Sequence, residues 1–302
     1  MEITRISLEL TNQCNLDCGL CSRKNVVTEP HYLTPEAIEN LNLDILSDIK
    51  VTIYGRQGDP ILNPYMLDIA KIFKKSNTTT SIGTNGTMRS EDWWYNLPKH
   101  LPPIHDIAFA IDGADAETYS YYRRGGKFDK VIANMKAFIK GGGQATWQFI
   151  LFDHNQDQID EIKKLSKKYG CYRYRIIPSN RYDSIYKKPT IYQVKSNDEA
   201  RFMATISCRM EIGEIFVACT GYYHPCCLFL RFGTVIRFIH VSNLKNIYEV
   251  PLIDIIKTKY YDSLYEKSKT FAFCKTCNVM CGQRFVSNEC DIEEGLARIA
   301  KI

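Results

Sequence analysis

Cys14, Cys18 and Cys21, in the run TNQCNLDCGLC, stand at CxxxCxxC spacing directly after a strand-like segment, Thr4–Leu10. Three thiolates on one tight loop can each hold one iron of a cubic [4Fe–4S] cluster. The fourth iron is then left without a protein ligand, open to chelation by a small molecule. The same thiols admit other chemistry. Zinc wants a fourth ligand close by, and the nearest candidate is His31, ten residues beyond Cys21. A disulfide with a spare thiol is a third option.

A second group of thiols crowds the last 95 residues: Cys208, Cys219, Cys226, Cys227, Cys274, Cys277, Cys281 and Cys290. The stretch EIFVACTGYYHPC reads as a strand, a turn at Gly221 and a return strand, a hairpin that presents Cys208 and Cys226 together. Further on, FCKTCNVMC supplies the tight pair Cys274 and Cys277. Two thiolates from a hairpin and two from a CxxC make a four-thiolate site, which by itself does not distinguish zinc from iron–sulfur. Cys171 opens a strand and reads as an apolar, buried thiol.

The elements that must position these groups alternate along the first two-thirds of the chain. Strands are expected at Thr4–Leu10, Lys50–Tyr54, Thr79–Gly83, Asp106–Ile111, Thr146–Phe152 and Tyr172–Ile177. Helices are expected at Pro35–Leu46, Pro64–Lys75, Glu91–Leu97, Phe128–Lys140 and Gln156–Lys168. Thr34 before Pro35 and Ser90 before Glu91 are helix starts, and Gly141–Gly143 and Gly170 are helix ends. Alternation of this kind implies an α/β fold with a parallel sheet and right-handed crossovers. In such sheets ligands gather at the carboxyl ends of the strands, where the first cysteine loop would sit.

The other strand ends carry matching motifs. Gly55-Arg56-Gln57-Gly58-Asp59-Pro60 follows the second strand, Thr84-Asn85-Gly86 ends the third and Ile111-Asp112-Gly113 ends the fourth. Arg123 and Arg124 follow in YYRRGGKF, and Asn155 lies just past the fifth strand. Glycines permit close backbone approach, a carboxylate accepts from an ammonium, and a guanidinium pairs with a carboxylate.

Together with the cysteine loop, these motifs resemble the radical S-adenosylmethionine (SAM) superfamily. The resemblance implies an open, partial (β/α)6 barrel. It also implies SAM held on the open iron by its amino and carboxylate groups, and reductive cleavage to a 5′-deoxyadenosyl radical that takes a hydrogen from substrate. By the same resemblance Gly55, Gly58 and Asp59 meet the SAM amino group, although this chain has Asp59 where the family has Glu and places two residues between its glycines. Asn85 and Asp112 line the SAM cavity, Arg123 (or Arg124) faces the SAM carboxylate, Asn155 is a further candidate, and Leu20 packs near the adenine.

Cys208-x12-Gly221-x4-Cys226 with the later CxxC resembles the SPASM extension and its shortened "twitch" form. This implies at least one auxiliary [4Fe–4S] cluster on Cys208, Cys226, Cys274 and Cys277, serving substrate oxidation or electron relay. A second, on some of Cys219, Cys227, Cys281 and Cys290, stays open, because CxxC-x3-C departs from the longer pattern. The expected domains are a barrel over 1–178, a linker or substrate-facing loop over 179–207, and an auxiliary-cluster region over 208–302.

Composition agrees with a globular enzyme: 302 residues, 45% hydrophobic and 24% charged, with a net charge of +5 that permits a phosphate-bearing partner. The N-terminus has no signal-like apolar run and no stretch approaches a membrane span, so the expectation is a cytoplasmic protein with no membrane partner. A one-electron reductant such as flavodoxin or ferredoxin is implied. The substrate class stays open between a small molecule, a peptide and a modified nucleic acid, the last by redox-neutral isomerisation. The tyrosines and lysines of Ser179–Asn197 read mainly as a solvated loop. No single side chain stands out as a catalytic acid or base. A different class, a structural zinc protein, predicts no SAM turnover.

Overall fold

The computed structural model describes residues 3–25, 29–46, 49–55, 57–179, 181–191, 213–224 and 244–258. Its strands are β1 (Arg5–Leu8), β2 (Lys50–Tyr54), β3 (Thr79–Thr84), β4 (His105–Ala110), β5 (Ala145–Leu151), β6 (Arg173–Pro178), β7 (Glu214–Val217) and β8 (Tyr223–His224). They form one sheet in the order β6-β5-β4-β3-β2-β1-β7-β8. Pairing is parallel throughout, except that β8 returns antiparallel on β7. The sheet is not closed between its edges β6 and β8, which is the open partial barrel expected. It is wider than six strands because the hairpin turning at Gly221 (φ 87°) adds β7 beside β1.

Side chains alternate across these strands, and the two faces differ in kind. One face is apolar: Ile6, Leu8, Val51, Ile53, Ile82, Ile107, Phe109, Trp147, Phe149, Ile215 and Val217 belong to a single core. The helices α1 (Pro35–Glu39), α2 (Met66–Lys75), α3 (Glu91–Asn96), α4 (Ala116–Tyr122), α5 (Phe128–Lys140) and α6 (Ile159–Lys168) supply much of the rest of that core. Trp94 on α3 meets Phe109 at 5.0 Å and Phe138 of α5 at 6.1 Å between ring centroids. Each such buried ring contributes about 1.5–3 kcal/mol. The opposite face is largely polar, with Ser7, Thr52, Tyr54, Ser81, Thr146, Gln148, Arg173, Arg175 and Glu214 at the alternate positions. A sheet whose inner face is polar encloses a lumen, not a second core.

Several boundaries differ from expectation. The helix starting at Pro35 ends at Glu39, because Asn42 adopts a left-handed conformation (φ 50°), and only a 3-10 turn, Leu43–Ile45, follows. The segment beginning at Gln156 is a 3-10 turn up to Gln158, and α6 starts at Ile159. Helix α4 was not expected from periodicity. Its start is legible in hindsight, since the Asp115 carboxylate accepts from the Thr118 N–H at 2.8 Å as an N-cap. The caps at Thr34 and Ser90 form as expected. A last helix, α7 (Leu252–Lys257), docks on α1 through Leu252 N–H to the Asn40 carbonyl, 3.1 Å. No helix among the described residues is long and apolar enough to cross a membrane.

Candidate active site

The carboxyl ends of the parallel strands meet at a cavity of about 220 Å³, and the cysteine loop forms one wall of it. The loop is anchored by its backbone. The Asp17 N–H donates to the Arg124 carbonyl (3.0 Å) and the Gly19 N–H to the Tyr122 carbonyl (3.1 Å), so the end of α4 carries it. From the other side the Asp59 N–H donates to the Gln13 carbonyl at 2.7 Å. The Gly55–Asp59 loop fits here only with glycine. A Cβ on Gly58 would lie 2.1 Å from the Thr11 carbonyl oxygen, and one on Gly55 would lie 1.5 Å from the Gly58 oxygen.

Cys14, Cys18 and Cys21 all line the cavity. Burial pushes the Cys14 thiol up to about 11, with the nearby Asp59 adding to it, and burial likewise raises Cys18 against the pull of Arg123. Thiolates here therefore call for strong cationic compensation. Donors are already aimed at two of the sulfurs: Asn85 Nδ2 lies 3.7 Å from Cys14 Sγ, and Arg123 Nη1 lies 3.7 Å from Cys18 Sγ. Among the described residues no three His, Cys, Asp or Glu side chains are arranged to hold a single metal ion. A cubic cluster makes a different demand, because each thiolate binds its own iron at a separate corner. Three thiols on one cavity wall suit such a cluster, and they supply only three of the four ligands that a structural zinc ion wants.

The other expected residues gather around the same cavity in different capacities. Asp59 is buried and its carboxylate is spent on the protein. It accepts from Ile61 N–H (3.1 Å), from Thr84 Oγ1 (2.8 and 3.1 Å) and from Asn85 N–H (2.6 Å). Burial pushes this carboxyl above its usual range, against those three donors. Asp59 thus lines the cavity and at the same time ties the ends of β2 and β3 together. Asn155 is likewise committed, donating to the Asp112 and Ile150 carbonyls and accepting from Phe152 N–H. Asp112, fully buried, accepts from Ile150 N–H and from Arg123 Nε, each at 2.6 Å. Burial works against the Arg123 charge, but the adjacent Asp112 carboxylate and, after it, Cys18, Tyr122 and Tyr119 together hold Arg123 well above its ordinary value. Arg123 therefore presents a fixed cation beside Cys18, while Arg124 turns away to Tyr186 Oη (3.0 Å).

Leu20 joins a second, smaller cluster with Leu16, Tyr122, Phe152 and Tyr186 against the three cysteines. Tyr186 corrects the expectation of a solvated loop for the segment after Ser179. It is 2% exposed, its ring abuts Gly19, and its hydroxyl donates to the Tyr121 carbonyl at 2.9 Å. A single tyrosine in a polar run carries no periodicity that marks burial. Sequence reasoning also missed Tyr54, Gln148 and Arg181, which line the cavity. The available signal for Gln148 was a lone amide interrupting the apolar strand TWQFIL.

Cys171, just before β6, rests on Met135 with 3.7 Å between sulfurs, as expected of an apolar thiol. Cys219 is buried at the end of β7, where burial and then the nearby Glu9 push it up to about 12. Cys208, Cys226, Cys227, Cys274, Cys277, Cys281 and Cys290 lie outside the described residues, as do Tyr192–Asn197.

The sequence pattern of the radical SAM superfamily matches residues 8–166, and that of the SPASM iron–sulfur cluster-binding domain matches residues 208–278. The AdoMet-dependent heme synthase of Methanosarcina barkeri is 25% identical over 183 residues, 59% of this chain and 52% of that protein. Mycofactocin maturase MftC of Mycolicibacterium smegmatis is 24% identical over 169 residues, 55% of this chain and 42% of that one. The matched segments thus span about half the length of these relatives. Among solved structures, Streptococcus suis SuiB bound to S-adenosylmethionine superposes with a TM-score of 0.69 at 16% identity, covering 92% of this chain and 72% of that one. Native anSMEcpe with bound AdoMet superposes with a TM-score of 0.60 at 15% identity, covering 92% of this chain and 88% of that one.

Proposed function

The chain belongs to the radical SAM superfamily and carries an iron–sulfur cluster-binding domain of the SPASM type, and on that premise we propose that it is a SAM-dependent radical enzyme acting on a polar substrate seated in the barrel lumen. Cys14, Cys18 and Cys21 would hold the [4Fe–4S] cluster, and Gly55, Gly58, Asn85 and Arg123 would face SAM. When bound, the cluster and SAM supply a 5′-deoxyadenosyl radical able to take a hydrogen from substrate. The chain's own residues do the positioning. The glycine loop leaves its backbone free to approach a ligand, Arg123 holds a fixed positive charge beside Cys18, and the Tyr122–Phe152–Tyr186 cluster excludes water from one side. The observation that carries this reading is the convergence of the three cysteines with Gly55, Gly58, Asn85 and Arg123 on one cavity.

In the C-terminal region, Cys208, Cys226, Cys274 and Cys277 are proposed to hold an auxiliary [4Fe–4S] cluster that accepts or relays an electron, with a flavodoxin- or ferredoxin-type protein as the outer donor. A peptide is the favoured substrate class within this reading, because similar structures include SuiB bound to precursor peptide SuiA and anSMEcpe with a bound Cp18Cys peptide.

Iron content tests the assignment. Anaerobically reconstituted protein should hold about eight irons per chain, and replacing Cys14, Cys18 and Cys21 together by Ala should leave about four and abolish SAM cleavage. Undiminished SAM cleavage in the triple variant would refute it. Cys277→Ala should keep the N-terminal cluster and uncoupled SAM cleavage but lose product. Product at the parent rate with both clusters intact would shift attention to Cys281.

A further inference from the structure

The arginines facing the barrel lumen are unequally compensated. Arg5 meets Glu214 (3.6 Å), Arg123 meets Asp112 (2.6 Å), and Arg173 meets Asp106. Arg175 and Arg181 meet no carboxylate among the described residues. Arg175 extends from β6, donates from Nη2 to Tyr54 Oη (3.3 Å) and to Gln148 Oε1, and leaves its buried Nε without a partner. Both groups it touches are neutral, and both line the cavity. Arg181, just beyond the end of β6, lines the same cavity, and its side chain makes no hydrogen bond or ion pair with a described residue.

The carboxylates that stand near the cavity are elsewhere or spent. Asp59 and Glu9 sit on the β1–β2 side, where Asp59 is engaged by Thr84 and Asn85 and Glu9 accepts from Gln57 N–H at 2.7 Å. Asp112 is committed to Arg123. The lumen is therefore polarised, with uncompensated guanidinium charge on its β5–β6 side. A partly desolvated cation without a counter-charge is costly, and a guanidinium presents a planar fork matched to carboxylate and phosphate oxygens.

We propose that Arg175 and Arg181 form an oxyanion subsite on the β5–β6 side of the lumen, which takes a carboxylate or phosphate group of the substrate and so fixes the substrate's orientation toward the cysteine loop. Gln148 and Tyr54 hold Arg175 in place and belong to the same device as positioning residues. The inference deepens the proposed function and rests on it only in calling the bound molecule a substrate.

The test is calorimetric titration of anaerobically reconstituted, SAM-saturated protein with inorganic phosphate and, separately, with succinate. Saturation with SAM fills any site for the cofactor's own carboxylate. At least one anion should bind saturably, and the two arms tell phosphate from carboxylate. Arg181→Gln and Arg175→Gln should each weaken that binding by about tenfold, while SAM affinity stays within about twofold of the parent. Arg175→Lys, which keeps the charge and loses the fork, should recover only part of the loss. Absence of saturable binding by either anion overturns the subsite. So does a variant that loses SAM affinity while keeping anion affinity, since the arginines would then serve the cofactor. Failure of the proposed function is read separately, as protein that binds neither iron nor SAM. On that unloaded protein the variants decide the subsite: anion binding lost with Arg175→Gln and Arg181→Gln supports it, and binding kept in both overturns it.

Discussion

Arg123→Met isolates the buried pair that braces the site. Asp112 is fully buried, and its Oδ2 lies 2.6 Å from Arg123 Nε, while its Oδ1 accepts the Ile150 N–H and no other donor among the described residues. Removing the guanidinium leaves a fully buried carboxylate with one backbone donor among the described residues. Breaking a buried pair in this way costs about 3–5 kcal/mol, far more than the net worth of the intact pair. At about 2 °C per kcal/mol for a chain of this length, Tm should fall by about 6–10 °C. The double variant Asp112→Asn/Arg123→Met removes the stranded charge, and the Asn Oδ1 still accepts from Ile150 N–H. It should recover at least half of the loss, which gives a large coupling energy in the double-mutant cycle. Thermal melts followed by far-ultraviolet circular dichroism on anaerobic protein measure both. A single variant melting within about 2 °C of the parent, or a double variant no more stable than the single, would refute the claim that this pair braces the ends of β4 and β5.

Three further outcomes follow from the geometry. Tyr186→Ala removes a buried ring beside Gly19 and should cost about 3–5 kcal/mol and speed iron loss to a chelator, whereas Tyr186→Phe, which loses only the hydroxyl's bonds, should cost about 1–2 kcal/mol; equal iron-loss rates in parent and Ala variant would contradict a packing role for the ring. Gly58→Ala should displace the cysteine loop, since its Cβ would sit 2.1 Å from the Thr11 oxygen, and equilibrium dialysis should find SAM binding lost, with parent-like affinity counting against the close-approach argument. Burial pushes Cys171 up to about 12, so at pH 8 only about one thiol in ten thousand is thiolate; mass spectrometry after brief iodoacetamide treatment should find it unlabelled, with labelling rising as pH rises, and rapid labelling at pH 8 would show the thiol to be accessible.

The chemistry of the first cysteine loop is legible in residue type and spacing, because three thiols within eight residues must share one neighbourhood whatever the fold. The parallel sheet is legible for a similar reason: periodicity and caps such as Thr34 and Ser90 are local properties, and they place five of the helices and six strands near their true positions. Helix α4 escaped because seven residues rich in tyrosine show no apolar stripe. Long-range partnership is a different matter. Asp59 in a Gly-Asp-Pro turn looks free to bind a ligand, yet tertiary structure turns it onto Thr84 and Asn85, 25 and 26 residues away. Arg123 and Arg124 are indistinguishable as neighbours in sequence, and only the end of α4 decides that one meets Asp112 and the other Tyr186. The same holds for the lumen's charge. Sequence supplies the arginines, but which of them find carboxylates is set by strand register across the sheet, and that register depends on contacts between residues far apart in the chain.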